Sequence, residues 1–106
     1  MATVTISIGR NVRMPLDTVG PMDGEVWQNF GAAIDALLAR CGATVYVGAA
    51  ESRGEWEGIA EDSRTWIASV PDNTLADIRY VLRDLARDFR QDAIALTVGV
   101  TELIGA

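Results

Sequence analysis

Apolar and polar residues alternate at both ends of the chain. Residues 3–9 read T-V-T-I-S-I-G, and residues 94–101 continue with the same two-residue period. Successive side chains of a strand point to opposite faces of its sheet, so both segments are predicted to be strands with one apolar face.

Two further strands are predicted in the middle of the chain. The first covers residues 43–50. The second covers residues 65–70, and its first residue is expected to lie further upstream, near Glu61. A hairpin turn at residues 58–60 would make them antiparallel neighbours. Residues 10–21 contain Pro and Gly and are predicted to be a loop.

Two segments carry apolar residues at the spacing of three and four that is typical of helices. The first predicted helix begins after Asp23, an N-cap residue, and ends before Gly42, which suits the left-handed C′ position. The second begins after residue 71, and its N-cap is Asp72, Asn73 or Thr74. The apolar stripes are Trp27, Phe30, Ile34, Leu37, Leu38 and Cys41 in the first helix, and Leu75, Ile78, Leu82, Leu85 and Phe89 in the second.

The predicted order of elements is β-α-β-β-α-β. This order predicts an α+β, ferredoxin-like two-layer sandwich with a four-stranded antiparallel sheet and two helices on one face. The chain of 106 residues is the size of one domain, so residues 1–106 are expected to form a single ferredoxin-like domain.

The composition excludes several kinds of chemistry. The chain has no His, all nine basic residues are Arg, and Cys41 is its one cysteine. Catalysis that needs an imidazole or a lysine amine is therefore excluded, as is an internal disulfide. We expect no metal and no cofactor. Because the net charge is −6, nucleic acid is not an expected partner. There is no apolar stretch long enough for a membrane span and no signal-peptide pattern, so we expect a cytoplasmic protein with no membrane partner.

The outer face of the predicted sheet carries small, weakly polar residues. It can serve as a homodimer interface, as a shallow ligand site or simply as a face in contact with water. Its predicted members are Thr3, Thr5, Ser7, Tyr46, Ala95, Thr97, Gly99 and Thr101.

A row of arginines follows one flank of the second predicted helix. Its members are Arg79, Arg83, Arg87 and Arg90, spaced four, four and three residues apart. The row is either a docking stripe for an acidic partner or phosphate groups, or a solvated flank supported by pairs such as Asp84–Arg87.

An acidic segment surrounds Trp56. Carboxylates along a hairpin protect a sheet edge from aggregation, and the spacing here matches no calcium-binding loop. Trp56 either packs back onto the core or is an exposed anchor for a partner.

Two resemblances add to this interpretation. The layout with a small-residue outer face is similar to the dimeric α+β barrel proteins, in which two ferredoxin-like subunits press their sheets together. Some of those proteins are monooxygenases or isomerases, so the resemblance implies a small-molecule site between helices and sheet. The motifs S-I-G-R-N, E-V-W, G-E-W-E-G with E-D-S, and T-V-G-V-T-E-L resemble small uncharacterised proteins of actinobacteria and their phages. That resemblance implies a small accessory protein and carries over no catalytic residues.

The leading hypothesis is a small bacterial or phage accessory protein that acts by protein–protein interaction, without catalysis. Its partner would be another protein, such as a host protein, or a second copy bound through the open sheet face. The alternative is a small-molecule-binding or enzymatic protein of the dimeric barrel type, which predicts an enclosed pocket of roughly 300 Å³ or more. A third hypothesis is weak nucleic-acid binding through the Arg stripe.

Overall fold

Four strands form one antiparallel sheet in the order β4-β5-β1-β6. The computed structural model describes residues 1–105. Both helices pack on the same face of the sheet, so the predicted ferredoxin-like sandwich is confirmed. The elements are β1 (Ala2–Gly9), β2 (Asn11–Arg13), β3 (Val19–Pro21), α1 (Gly24–Arg40), β4 (Thr44–Trp56), β5 (Ile59–Val70), α2 (Leu75–Asp88) and β6 (Ala95–Gly99).

The core lies between the sheet and the two helices. Even-numbered residues of β1 and β5 point into it, including Ile6 and Trp66, which are fully buried. Phe30 of α1 and Ile78 of α2 reach the same layer and are also fully buried. This layer is therefore filled by side chains, where the barrel-type alternative predicted a pocket.

Each helix begins as its local chemistry requires. The Asp23 carboxylate accepts a hydrogen bond from the Val26 amide at 3.0 Å, which confirms the predicted N-cap of α1. Helix α2 follows a short 3₁₀ turn and has Thr74 at its N-cap position. The Thr74 hydroxyl donates to the Pro71 carbonyl at 2.7 Å and makes no capping bond to the helix.

Residues 10–21 are more regular than the predicted loop. They contain β2 and β3, which pair with each other, and a short 3₁₀ turn between them. Backbone hydrogen bonds from Arg10 to Asp62 at 2.9 Å and from Met22 to Arg10 at 2.8 Å anchor this small hairpin. Contacts with a distant strand fix its conformation, and the sequence pattern of residues 10–21 does not contain them.

The central hairpin is longer and its turn tighter than predicted. Ile59 and Ala60 belong to β5, and the turn consists of Glu57 and Gly58 alone. Their φ angles are +51° and +81°, as a two-residue turn of the I′ kind requires at both central positions. Strand β4 consequently extends to Trp56, six residues beyond its predicted end.

Two register shifts interrupt the pairing of β4 with β5. They lie between Val45 and Val47 and between Val47 and Ala50. Strict alternation places the two valines on one face, but Val45 pairs with a buried residue of β5 and Val47 with Ile67, which points away from the helices. A bulge adds a residue to one strand and thereby changes which side chains face the core.

Candidate protein-binding face

The sheet has one face that neither helix covers, and we call it the helix-free face. The ladder register places there the odd-numbered residues of β1 and β5 and their partners on β4 and β6. Most are half-buried, whereas their even-numbered neighbours in β1 and β5 are mostly buried. The central members are Thr3, Thr5, Ser7, Gly9, Thr44, Val47, Ala50, Ser63, Thr65, Ile67, Ser69, Ala95, Thr97 and Gly99.

None of these central members is charged, although charged residues make up 23% of the chain. Several hydroxyl groups of the face bond to each other. The hydroxyls of Ser7 and Thr65 are 2.9 Å apart, and those of Thr3 and Thr101 also form a hydrogen bond. A hydroxyl that already has a protein partner loses less when water is removed from it. These two pairs lower the cost of desolvating the part of the helix-free face that they occupy.

Glu61 marks one end of the helix-free face. Its carboxylate accepts a hydrogen bond from the Asn11 amide at 2.9 Å and so ties β5 to the β2–β3 hairpin. It also lies directly over Gly9, where a Cβ atom would come within 2.3 Å of the carboxylate. A larger residue at position 9 would therefore displace the Glu61 carboxylate from the Asn11 amide.

A cleft of about 430 Å³ opens beside Glu61. It lies between the tip of the β4–β5 hairpin, the β2–β3 hairpin and the connection from α2 to β6. Trp56 and Ile59 form part of its wall and are 50% and 45% exposed. The cleft is open to solvent and lies outside the layer between helices and sheet, where the barrel-type alternative placed a pocket.

The structure brings some of the predicted site residues together. Thr5 and Thr97 are direct partners across β1 and β6 on the helix-free face. Trp56, at the end of β4, and Arg90, between α2 and β6, both line the cleft. Tyr46 lies at the first register shift, has no partner on β5 and is 56% exposed.

The rest of the predicted arginine row lies elsewhere. Arg79, Arg83 and Arg87 are exposed on α2, in the other layer of the sandwich. Arg87 donates to the Asp84 carboxylate at 2.7 Å. The Asp84–Arg87 ion pair is the one predicted if this row of arginines is a solvated flank of α2. Cys41, predicted on the apolar stripe of α1, is half-buried at the end of that helix.

Arg64 is a buried cation that the sequence analysis did not single out. It lies on the core face of β5 with its side chain only 9% exposed. Its Nη2 donates to Glu51 at 2.9 Å, and its guanidinium carbon is 4.8 Å from the centre of the Trp27 ring. The two-residue period of β5 indicates its burial, because Arg64 shares a face of the strand with the buried residues Trp66 and Ala68.

Neighbouring charges on this side of the sheet are paired as well. Asp62 lies 3.2 Å from the guanidinium of Arg53 and 4.0 Å from that of Arg10. Part of the acidic segment around Trp56 therefore consists of carboxylates that form ion pairs with arginines. Among residues 1–105, no group of three or more His, Cys, Asp or Glu side chains is arranged to hold a metal ion. Neither helix within that range is long and apolar enough to span a membrane.

Comparisons with known proteins find a distant structural similarity. No family model matches the sequence, and no curated protein is significantly similar to it. A solved structure of a phage SAM lyase in its apo state aligns with a TM-score of 0.48 and 18% sequence identity, covering 92% of this chain and 78% of the lyase chain. An alignment at this level assigns neither a family nor an activity.

Proposed function

We propose that this protein is a protein-interaction module, and that its helix-free face docks against the same face of a second copy. The observation that carries the proposal is the absence of charge from the central members of that face in a chain whose net charge is −6. A face destined for water is expected to carry charged residues, whereas interface centres are depleted of them.

A second copy fits this face electrostatically. In a two-fold contact the same patch of both copies meets, so a face with charge of one sign would place like charges against each other. The uncharged centre avoids that repulsion. Glu61, which marks one end, already has a hydrogen-bond partner in its own chain.

The size of the face sets the expected strength of the contact. Four strands about 4.8 Å apart and about seven residues long give a projected area of roughly 450 Å² per copy. Stable interfaces bury about 800 Å² per partner, so the contact lies at the weak end of the range. We expect association that depends on protein concentration in the micromolar range.

The test is sedimentation equilibrium of the wild type and of Thr5→Lys over about a hundredfold range of concentration. Thr5 lies at the centre of the face, where lysine would bury a charge in the contact. Lysine also changes the net charge from −6 to −5, which weakens general repulsion. The variant is expected to reach about half the wild-type mass at the highest concentration.

Ala32→Lys is the matched control, because Ala32 is exposed on α1 and the substitution changes the net charge equally. It is expected to associate like the wild type. The proposal is wrong if the wild type stays at 11.4 kDa throughout, or if Thr5→Lys associates as the control does. If Thr5→Lys does not fold, amide chemical-shift changes on dilution of the wild type replace it. They must concentrate on β1 and β5, and changes confined to the helices would refute the proposal.

A further inference from the structure

Strands β4 and β6 are the two edges of the sheet, and they differ in how they are protected. The long β4 edge has two register shifts and carries Glu51, Arg53 and Glu55. Bulges and charges of this kind prevent an edge from pairing with another chain.

The β6 edge has none of these features. Its five residues pair regularly with β1, from Thr3↔Gly99 to Ser7↔Ala95. The uncharged stretch around it runs from residue 93 to residue 101 and contains no proline. Asp92 and Glu102 flank this stretch. The outer backbone groups of such a strand can form hydrogen bonds with another strand.

Apolar side chains of this edge are exposed on the side of the helices. Leu96 and Val98 pair with buried residues of β1, yet Val98 is 39% exposed. Val100, two residues further along, is 83% exposed. Ile94 and Leu96 are only partly buried and pack at the margin of the core. The apolar row thus continues beyond what its own chain covers.

We propose that β6 pairs antiparallel with β6 of a second copy, with Thr97 on the two-fold axis. In that register Leu96 lies opposite the second copy's Val98, and Ile94 lies opposite its Val100. Both exposed valines are then covered by apolar side chains on the same face of the sheet. Thr97 lies opposite Thr97 of the second copy, and two threonines form a favourable cross-strand pair. The register follows from the face alternation, because a shift by one residue would oppose apolar and polar faces.

In the two nearest alternative registers, a flanking acidic residue would lie opposite an apolar side chain. Moving the two-fold axis to Leu96 would place Asp92 opposite Val100, and moving it to Val98 would place Glu102 opposite Ile94. With the axis at Thr97, neither carboxylate lies opposite an apolar residue. Asp92 instead lies opposite the second copy's Glu102, and Arg13 of the same chain, 3.7 Å from Asp92, reduces the repulsion between these two carboxylates.

The result is a continuous eight-stranded sheet. Both copies then present their helix-free faces on the same side, which doubles that face to roughly 900 Å². The pairing uses a different surface and a different two-fold axis from the contact proposed above, so each can exist without the other.

Val100→Lys tests the edge contact by sedimentation equilibrium. Val100 is exposed in the single chain, so lysine there should not affect folding, but it would meet an apolar residue in the seam. We expect about half the wild-type mass at high concentration. Leu103→Lys is the matched control. Leu103 is 91% exposed and lies outside the paired residues, and its substitution adds the same charge. We expect this variant to associate like the wild type.

Combining substitutions separates the two proposals. Thr5→Lys with Val100→Lys should remain at 11.4 kDa, whereas each single variant retains one contact. If Thr5→Lys halves the mass and Val100→Lys does not, the edge pairing is wrong and the proposed function stands. The opposite outcome refutes the proposed function and supports the edge pairing.

Disulfide trapping tests the register itself, in a Thr5→Lys background with Cys41→Ser. Cβ atoms directly opposite each other in an antiparallel pair are about 5 Å apart, close enough for a disulfide after small adjustment. Thr97→Cys should therefore give a covalent dimer in air. Val100→Cys should not, because six residues of offset separate the two copies of position 100 by roughly 20 Å. Equal trapping at both positions would overturn the register.

Discussion

Arg64 and Glu51 form an ion pair whose two members are unequally buried, and this inequality predicts unequal mutational costs. The side chain of Arg64 is 9% exposed and that of Glu51 is 73% exposed. Removing Glu51 leaves a buried cation, whereas removing Arg64 leaves a carboxylate in water. Removing Glu51 should therefore lower the free energy of unfolding more than replacing Arg64 with an apolar residue of similar length.

The magnitude follows from the contacts that remain. In Glu51→Ala the guanidinium keeps only the face of Trp27 at 4.8 Å and a long contact of 3.5 Å to the side-chain oxygen of Gln28. A buried charged group without its partner costs about 2 kcal/mol. In Arg64→Met the thioether side chain refills most of the space and no charge remains buried, so we expect about 1 kcal/mol.

The assay is urea unfolding followed by far-ultraviolet circular dichroism, at one fixed protein concentration because association adds to apparent stability. The double variant Glu51→Ala with Arg64→Met should be no less stable than Glu51→Ala alone, because the orphaned charge is gone. Arg53→Met is the control, since the Arg53–Asp62 pair is more exposed and should contribute less than about 1 kcal/mol. The reasoning is refuted if Glu51→Ala costs no more than Arg64→Met.

Three further substitutions test individual contacts by the same unfolding measurement. Asp23→Ala removes the cap of α1 and should cost about 1 kcal/mol, while Asp23→Ser should be nearly neutral; equal losses would refute the capping role. Gly9→Ala displaces the Glu61 carboxylate from the Asn11 amide and should cost about 1 kcal/mol, whereas the same substitution in a Glu61→Ala background should cost clearly less; an equal cost in both backgrounds would refute the role of Glu61. Asp35→Ala leaves the buried indole N–H of Trp66 without its acceptor at 2.8 Å and should cost about 2 kcal/mol, whereas Asp35→Asn keeps an oxygen there and should cost clearly less.

The sequence pattern predicted the small-residue face better than it predicted the hairpin beside it. Thr5 and Thr97 share the helix-free face because strict alternation in β1 and β6 is not interrupted. Val47 reached the same face only through the bulge in β4, which no alternation rule contains. The predicted row of arginines is divided, with Arg90 at the cleft and the other three on the exposed flank of α2.

The amino-acid sequence alone determined the order of the four strands of the main sheet and the two helices, the apolar stripe of each helix and the alternation of the outer strands. These are local properties, because the spacing of apolar residues fixes which side of a helix or strand is buried wherever that element packs. It also excluded imidazole and lysine chemistry, since those residue types are absent.

The tertiary structure decided which strands are edges, where the bulges of β4 fall and how Arg64 is paired. It also ordered residues 10–21 through hydrogen bonds to Asp62 and Glu61, about 50 residues further along the chain. Such features depend on groups that meet only after the chain has folded. Contact between distant residues therefore decides the geometry of the candidate surfaces, while local periodicity decides the elements from which they are built.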